Sequence, residues 1–244
     1  MKRPFLLITV LMVLLSTAFA QDDDAIITVD SSEVVVNIAV FDRSGRYVPG
    51  LRREQFKIFE DGIEQSLTFF AAEQTPFAAV ILMDTSGSME SRVSLARSAV
   101  IAFLDGMRKD DNSAVYRFDS KVHLIRDFAG SRDLPDRFFD LKADGMTVLN
   151  DAVFEAASLL AQRPEKRRAI IVLSDGADNM SKRSAGKALN AALAANATIY
   201  TIDMSERAVT GGGRSVQNVG VLKNFAEKTG GFFIAAPGGV AMRE

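Results

Sequence analysis

The sequence predicts an α/β fold: a doubly wound, mostly parallel sheet with helices on both faces, preceded by a small β-rich module. Three observations carry that expectation. Apolar runs such as 78–83 and 168–173 are continuous rather than alternating, as in strands buried on both faces of a parallel sheet. Segments with helical apolar spacing lie between such runs, the alternation expected of βαβ units. Polar clusters follow directly on the ends of the runs, where open α/β sheets place their ligands.

The first segment is read before the fold begins. Lys2 and Arg3 precede an apolar run over 5–15 and the small-residue stretch Ser16-Thr17-Ala18-Phe19-Ala20, so 1–20 reads as a secretory signal cleaved before Gln21. The run falls short of the roughly 20 apolar residues that span a bilayer, and no later segment approaches that length. The mature chain is expected to be exported, periplasmic or extracellular, with no integral membrane segment.

Composition narrows the function classes. The chain has 29 basic and 31 acidic residues, and removing Lys2 and Arg3 leaves 27 against 31, a net charge of −4. Nothing in that balance points to nucleic acid, which calls for a concentrated basic face. There is no cysteine, so there are no disulfides and no thiol chemistry. His123 is the only histidine. A His-rich zinc site and a HExxH protease need more histidines than that, and a His-based catalytic triad would have to rest on His123 alone. Stability must come from buried cores, for which a chain of this length suffices.

Residues 21–75 read as the small β module. Gln21-Asp22-Asp23-Asp24 is a solvated acidic tip. The valine- and isoleucine-rich stretch 33–41 suggests a strand, and Asp42-Arg43-Ser44-Gly45-Arg46 a hairpin turn with Gly45 at positive φ. Residues 56–60 alternate with period two, Asp61-Gly62 marks a tight turn, and 63–70 forms the return strand. Phe56, Ile58 and the Phe69-Phe70 pair are expected to be core.

Residues 76–244 read as the main domain. After the strand at 78–83 comes a helix with Val93, Ala96, Val100, Phe103 or Leu104, and Met107 on one face. Strands follow at 114–118 and 121–125, then helical stretches at about 133–141 and 150–162. The strand at 168–173, an alanine-rich helix at about 183–195, a strand at 198–202, a helix at about 216–228 and a strand at 232–235 complete the pattern.

Three polar clusters stand at loop positions. Asp84-Thr85-Ser86-Gly87-Ser88-Met89 follows the first strand, Ser174-Asp175-Gly176-Ala177-Asp178 follows 168–173, and Asp144-Gly145-Met146-Thr147 leads into the helix at 150. Asp84, Ser86 and Ser88 are spaced by two, so one loop can turn all three side chains toward a point. They offer oxygen alone, which suits a hard cation such as Mg²⁺ or Mn²⁺. Thr147 and Asp175 can complete the shell, while Gly87 and Gly145 let the backbone pass close. Alternatively, Ser86 and Ser88 cap a helix that starts near Met89; that leaves the aspartates and Thr147 unexplained.

These residues resemble the metal-ion-dependent adhesion site of von Willebrand factor type A domains. The family pattern is DxSxS after the first strand, a threonine in a later loop and an aspartate after a later strand. It is matched by Asp84-Thr85-Ser86-Gly87-Ser88, Thr147 and Asp175, over about residues 77 to 236. The resemblance implies that Ser86 and Ser88 ligate Mg²⁺ directly and Thr147 directly or through water. Asp84 and Asp175 would act largely through water. It also implies a protein partner whose Glu or Asp carboxylate supplies a remaining ligand, and no catalytic residues. Asp42-Arg43-Ser44-Gly45, Val48-Pro49-Gly50-Leu51 and Phe56-Lys57-Ile58-Phe59-Glu60-Asp61-Gly62 resemble the secreted bacterial VWFA-related acidobacterial domains. Members of the fold usually close with a helix after the last strand, and Pro237 to Glu244 is too short and glycine-rich to form it.

Other chemistry is weighed against this. A haloacid-dehalogenase phosphatase would need a second aspartate where Ser86 stands. A hydrolase using Ser86 or Ser88 would need a base, and His123 lies on an expected strand as a packing or surface residue. Gly211-Gly212-Gly213-Arg214 lacks the Lys-Ser/Thr ending of a phosphate loop and reads as a flexible surface loop. The basic cluster Arg163, Lys166, Arg167, Arg168 reads as a solvated loop. Beside the metal-dependent binding module stand a structural or assembly component with a vestigial site and, third, a phosphate-ester hydrolase.

Overall fold

The computed structural model describes residues 36, 38, 40–44, 46, 48–70, 75–205 and 213–236, with side chains of 213–217 excepted. The expected signal segment, the acidic tip, Gly45, Gly211-Gly212 and the last eight residues lie outside the described residues. Residues 35–244 form one compact unit.

The main sheet has six strands: β3 (Phe77–Asp84), β4 (Asn112–Phe118), β5 (Val122–Ala129), β6 (Arg167–Ser174), β7 (Ala197–Asp203) and β8 (Phe233–Ala235). Their order is β5-β4-β3-β6-β7-β8. Every pairing is parallel except β4 with β5, which are joined by a tight turn at 119–121 and run antiparallel. Among the described residues the α-helices are α1 (Val93–Gly106), α2 (Leu149–Ala161), α3 (Ala185–Ala194) and α4 (Gly213–Lys228).

The continuous apolar runs are strands because the sheet is covered on both sides. Along β3, Ala78, Val80 and Leu82 join a cluster with residues of α2, α3 and α4. Ala79, Ile81 and Met83 face the opposite way, into a cluster built on Val93, Ala96, Val100 and Leu104 of α1. That is the face read from the sequence, and Met107 is buried with it. From β3 the chain crosses to β4 on one side and later enters β6 on the other. The end of β3 is therefore the point where the winding reverses, and the crevice of such a sheet opens there.

Two expectations for the α/β body are corrected. The helical stretch at 133–141 is an irregular loop with one 3-10 turn, Asp136–Phe138. Leu134, Phe138 and Leu141 do pack together against the α1 cluster, which reproduces a helical spacing. Pro135 disfavours helix at the residue before it, however, and Phe138 alone is fully buried. At the other end, α4 starts at Gly213, so Gly213 and Arg214 belong to a helix rather than to a loop.

The N-terminal segment is β-like but sparse. Val48 N donates to Val40 O at 2.9 Å and Asp42 N to Arg46 O at 2.8 Å, closing the expected turn. Within the expected strand 33–41, Phe41 makes an isolated bridge. β1 (Ile58–Glu60) and β2 (Ile63–Gln65) form an antiparallel hairpin, and β2 stops well before residue 70. Asp61 and Gly62 both have positive φ, 50° and 83°, as the tightest hairpin turn requires. Phe69 is exposed rather than core, whereas Phe56 and Phe70 meet with ring centroids 5.5 Å apart.

Candidate metal centre

Asp84 is the last residue of β3 and is fully buried, at 0% exposure. Its Oδ1 accepts from Ser86 N at 2.9 Å and from Ser86 Oγ at 2.6 Å. Its Oδ2 accepts from Ser174 Oγ at 2.5 Å. Burial pushes the carboxyl up from 3.8 to about 6. The bonds from Ser174 and Ser86 oppose that rise, and the charge of Asp175 adds to it. Among the described residues no arginine or lysine pairs with Asp84.

Ser86 is buried and Ser88 exposed, and their hydroxyl oxygens lie 3.3 Å apart. The capping alternative is not what the serines do. Ser86 makes no side-chain cap to the 3-10 turn Gly87–Met89, and α1 begins only at Val93. Buried Met89 anchors the turn in the α1 cluster, which leaves Ser88 facing outward.

The loop bearing Thr147 is stitched onto this one. Asp144 N donates to Thr85 O at 2.8 Å, and Gly87 N to Gly145 O at 3.1 Å. Gly145 has φ 78°, and a Cβ there would stand 2.7 Å from Ser120 Oγ. The positive φ favours glycine there, and any Cβ would have to displace the Ser120 hydroxyl. Thr147 itself is 2% exposed. Asp175 follows β6, is half-buried, and its Oδ1 accepts from Ala177 N at 2.9 Å.

Asp84, Ser86 and Ser88 thus lie within one hydrogen-bonded cluster, Asp175 lies within electrostatic reach of Asp84, and Thr147 sits on the loop pinned to theirs. Among the described residues no three His, Cys, Asp or Glu side chains converge as a metal cluster. The donor set is two carboxylates with hydroxyls, poor in charge. Ser174 is the residue that sequence reading missed. It stood in the quoted string, but its role depends on the register that pairs Met83 with Leu173 and sets Asp84 beside Ser174.

The proposed alternatives find other geometry. His123 Nε2 lies 3.7 Å from Asp119 Oδ1 at the β4–β5 turn, with its side chain 40% exposed. Arg163 pairs with Glu165 at 2.7 Å, and Arg168 donates to the carbonyls of Arg163, Glu165 and Ala195. Two members of the basic cluster therefore brace the chain around β6.

Residues 79–177 match the family model of the von Willebrand factor type A domain, a span that includes all five site positions. Over that span the chain is similar to domains of this family. Residues 36–70 lie outside the match. No curated protein sequence matches the chain. Solved structures of similar fold include BatB from Bacteroides thetaiotaomicron, 16% identical, with 68% of this chain and 93% of that one covered and a TM-score of 0.52. The vWF domain of the type V pili tip protein Mfa5 from Porphyromonas gingivalis is 17% identical, with 66% and 90% covered and a TM-score of 0.52. The pilus adhesin SpaC from Lactobacillus rhamnosus GG is 12% identical, with 68% and 28% covered and a TM-score of 0.52. Among the described residues no helix is long and apolar enough to cross a membrane.

Proposed function

We propose that the chain is an exported protein-binding or adhesion module. Asp84, Ser86, Ser88, Thr147 and Asp175 would hold Mg²⁺ or Mn²⁺, through which an Asp or Glu carboxylate of a partner protein is bound. The observation that carries this reading is the charge balance at Asp84. A buried carboxylate is supported by hydroxyls and one amide, with a second acid nearby and no cation paired to it. Burying such a group without a counter-charge is costly. A hard cation on oxygen donors supplies the missing charge.

The neutral hydroxyls of Ser86, Ser88 and Thr147 suit direct coordination, while Asp84 and Asp175 supply negative charge. When bound, the ion provides an electrophilic position for an anionic oxygen, because few carboxylates neutralise it. Exposed Ser88 marks the open side of the site. The export half of the proposal rests on the segment 1–20. The attachment half draws on likeness in fold to a pili tip protein and a pilus adhesin.

Thermal unfolding of the chain in EDTA and then in Mg²⁺ or Mn²⁺ tests the site. At a hundredfold excess over Kd the wild type should gain about 2.7 kcal/mol, and Asp84→Ala should gain nothing. Acidic peptides should then bind only with the metal present. A wild type indifferent to both metals points instead to the structural or assembly role.

A further inference from the structure

We infer that Asn179 and Asp178 are positioning residues that fix the Thr147 loop for the cation, an inference that rests on the metal reading above. The residue before α2, Val148, has no side-chain acceptor for the free amides at the helix start. The loop after β6 supplies them instead. Asn150 N donates to Asp178 Oδ2 at 2.7 Å and Asp151 N to Ser181 Oγ at 3.1 Å. In return the Asp151 carboxylate accepts from Lys182 N and Arg183 N, both at 3.0 Å, and from Arg183 Nη1 at 3.2 Å.

The same ladder holds Thr147 at both of its backbone polar groups. Thr147 N donates to Asn179 Oδ1 at 2.9 Å. Thr147 O accepts from Asn179 N at 3.2 Å and from Met180 N at 3.0 Å. Residues 147–151 and 178–183 are therefore one hydrogen-bonded unit, although about thirty residues separate them in sequence. Asp175 stands three residues before Asp178, on the same loop after β6. The ladder thus ties the threonine donor to the loop that carries the second acid of the site. By contrast, two backbone bonds join the Thr147 loop to the loop of Ser86 and Ser88, Asp144 N to Thr85 O and Gly87 N to Gly145 O. Groups that orient metal ligands from behind commonly govern affinity without touching the ion.

The test is an Mg²⁺ titration of the full chain, read by calorimetry, with amide exchange at Thr147 followed in parallel. Asn179→Ala removes the acceptor for Thr147 N. It should weaken Mg²⁺ binding by about tenfold or more and speed exchange of the Thr147 amide. Asn179→Asp keeps an acceptor oxygen at the same place and should restore both readouts, which a general loss of stability would not do. Ser181→Ala breaks a different rung, and should weaken binding by a smaller factor; it carries the test if Asn179→Ala fails to fold. Unchanged affinity in Asn179→Ala, or in Ser181→Ala where that variant stands in, overturns the positioning role while leaving the metal site intact. A wild type that takes no Mg²⁺ or Mn²⁺ overturns the metal reading and the inference with it.

Discussion

The N-terminal segment and the α/β body are organised by different forces. Between residues 36 and 70 not one described residue is buried. Local polar geometry shapes that segment instead. Asp42 Oδ1 accepts from Ser44 N, Ser44 Oγ and Arg46 N, and these bonds hold its carboxyl down at about 2. The segment touches the body where Phe41 meets Phe232 edge-on, with ring centroids 4.7 Å apart. The body, in contrast, buries two apolar clusters on opposite faces of one sheet. A turn can be specified by a few hydrogen bonds, but a sheet with a site at the ends of its central strands needs large-scale burial behind it.

Matched substitutions break that contrast most sharply at phenylalanine. Phe225, fully buried on α4, and Phe59, 57% exposed on β1, carry the same side chain. Phe225→Ala should cost about 3–5 kcal/mol, and Phe59→Ala no more than about 0.5 kcal/mol, in urea unfolding.

Glycines sharpen the comparison next. Gly176 and Gly62 have nearly the same φ, 79° and 83°. A Cβ at Gly176 would stand 2.4 Å from Asn218 O, while nothing lies within 4 Å at Gly62. Gly62→Ala should cost about 1–2 kcal/mol, the strain of a left-handed residue. Gly176→Ala adds a collision with α4 and should cost about 2–4 kcal/mol. Equal midpoints for the two variants would refute the packing argument.

The last expected effect is a gain rather than a loss, and it belongs to the site. The raised carboxyl of Asp84 means that metal-free folded protein binds more protons than the unfolded chain between pH 3.8 and about 6. Stability therefore falls as pH rises through that window and levels off above it, by up to about 3 kcal/mol. Asp84→Asn should recover up to that amount at pH 7.5 in EDTA, nothing at pH 3, and should lose any response to Mg²⁺. A mutant less stable than wild type at pH 7.5 would show that the ionised carboxylate is well accommodated without metal.

Much of the architecture was legible because side-chain periodicity is a local property. The runs at 78–83 and 168–173, and the α1 stripe Val93, Ala96, Val100, are each contained in a few turns of chain. The same logic misread Leu134, Phe138 and Leu141, whose spacing is helical although their backbone is not. It also placed Phe69 inside, where nothing in its own sequence neighbourhood says that a core is lacking.

Of the candidate site, the sequence by itself determined which oxygen-bearing groups are on offer: Asp84, Ser86 and Ser88 in one loop, with Thr147 and Asp175 at other loop positions. Tertiary structure alone decided how those donors are held. Ser174 reaches Asp84 across 90 residues because β3 and β6 pair in one register. Asn179 clamps Thr147 because the loop after β6 folds over the start of α2. Spacing along a chain fixes which groups one loop can offer, whereas contacts between distant segments depend on how the whole apolar surface is buried.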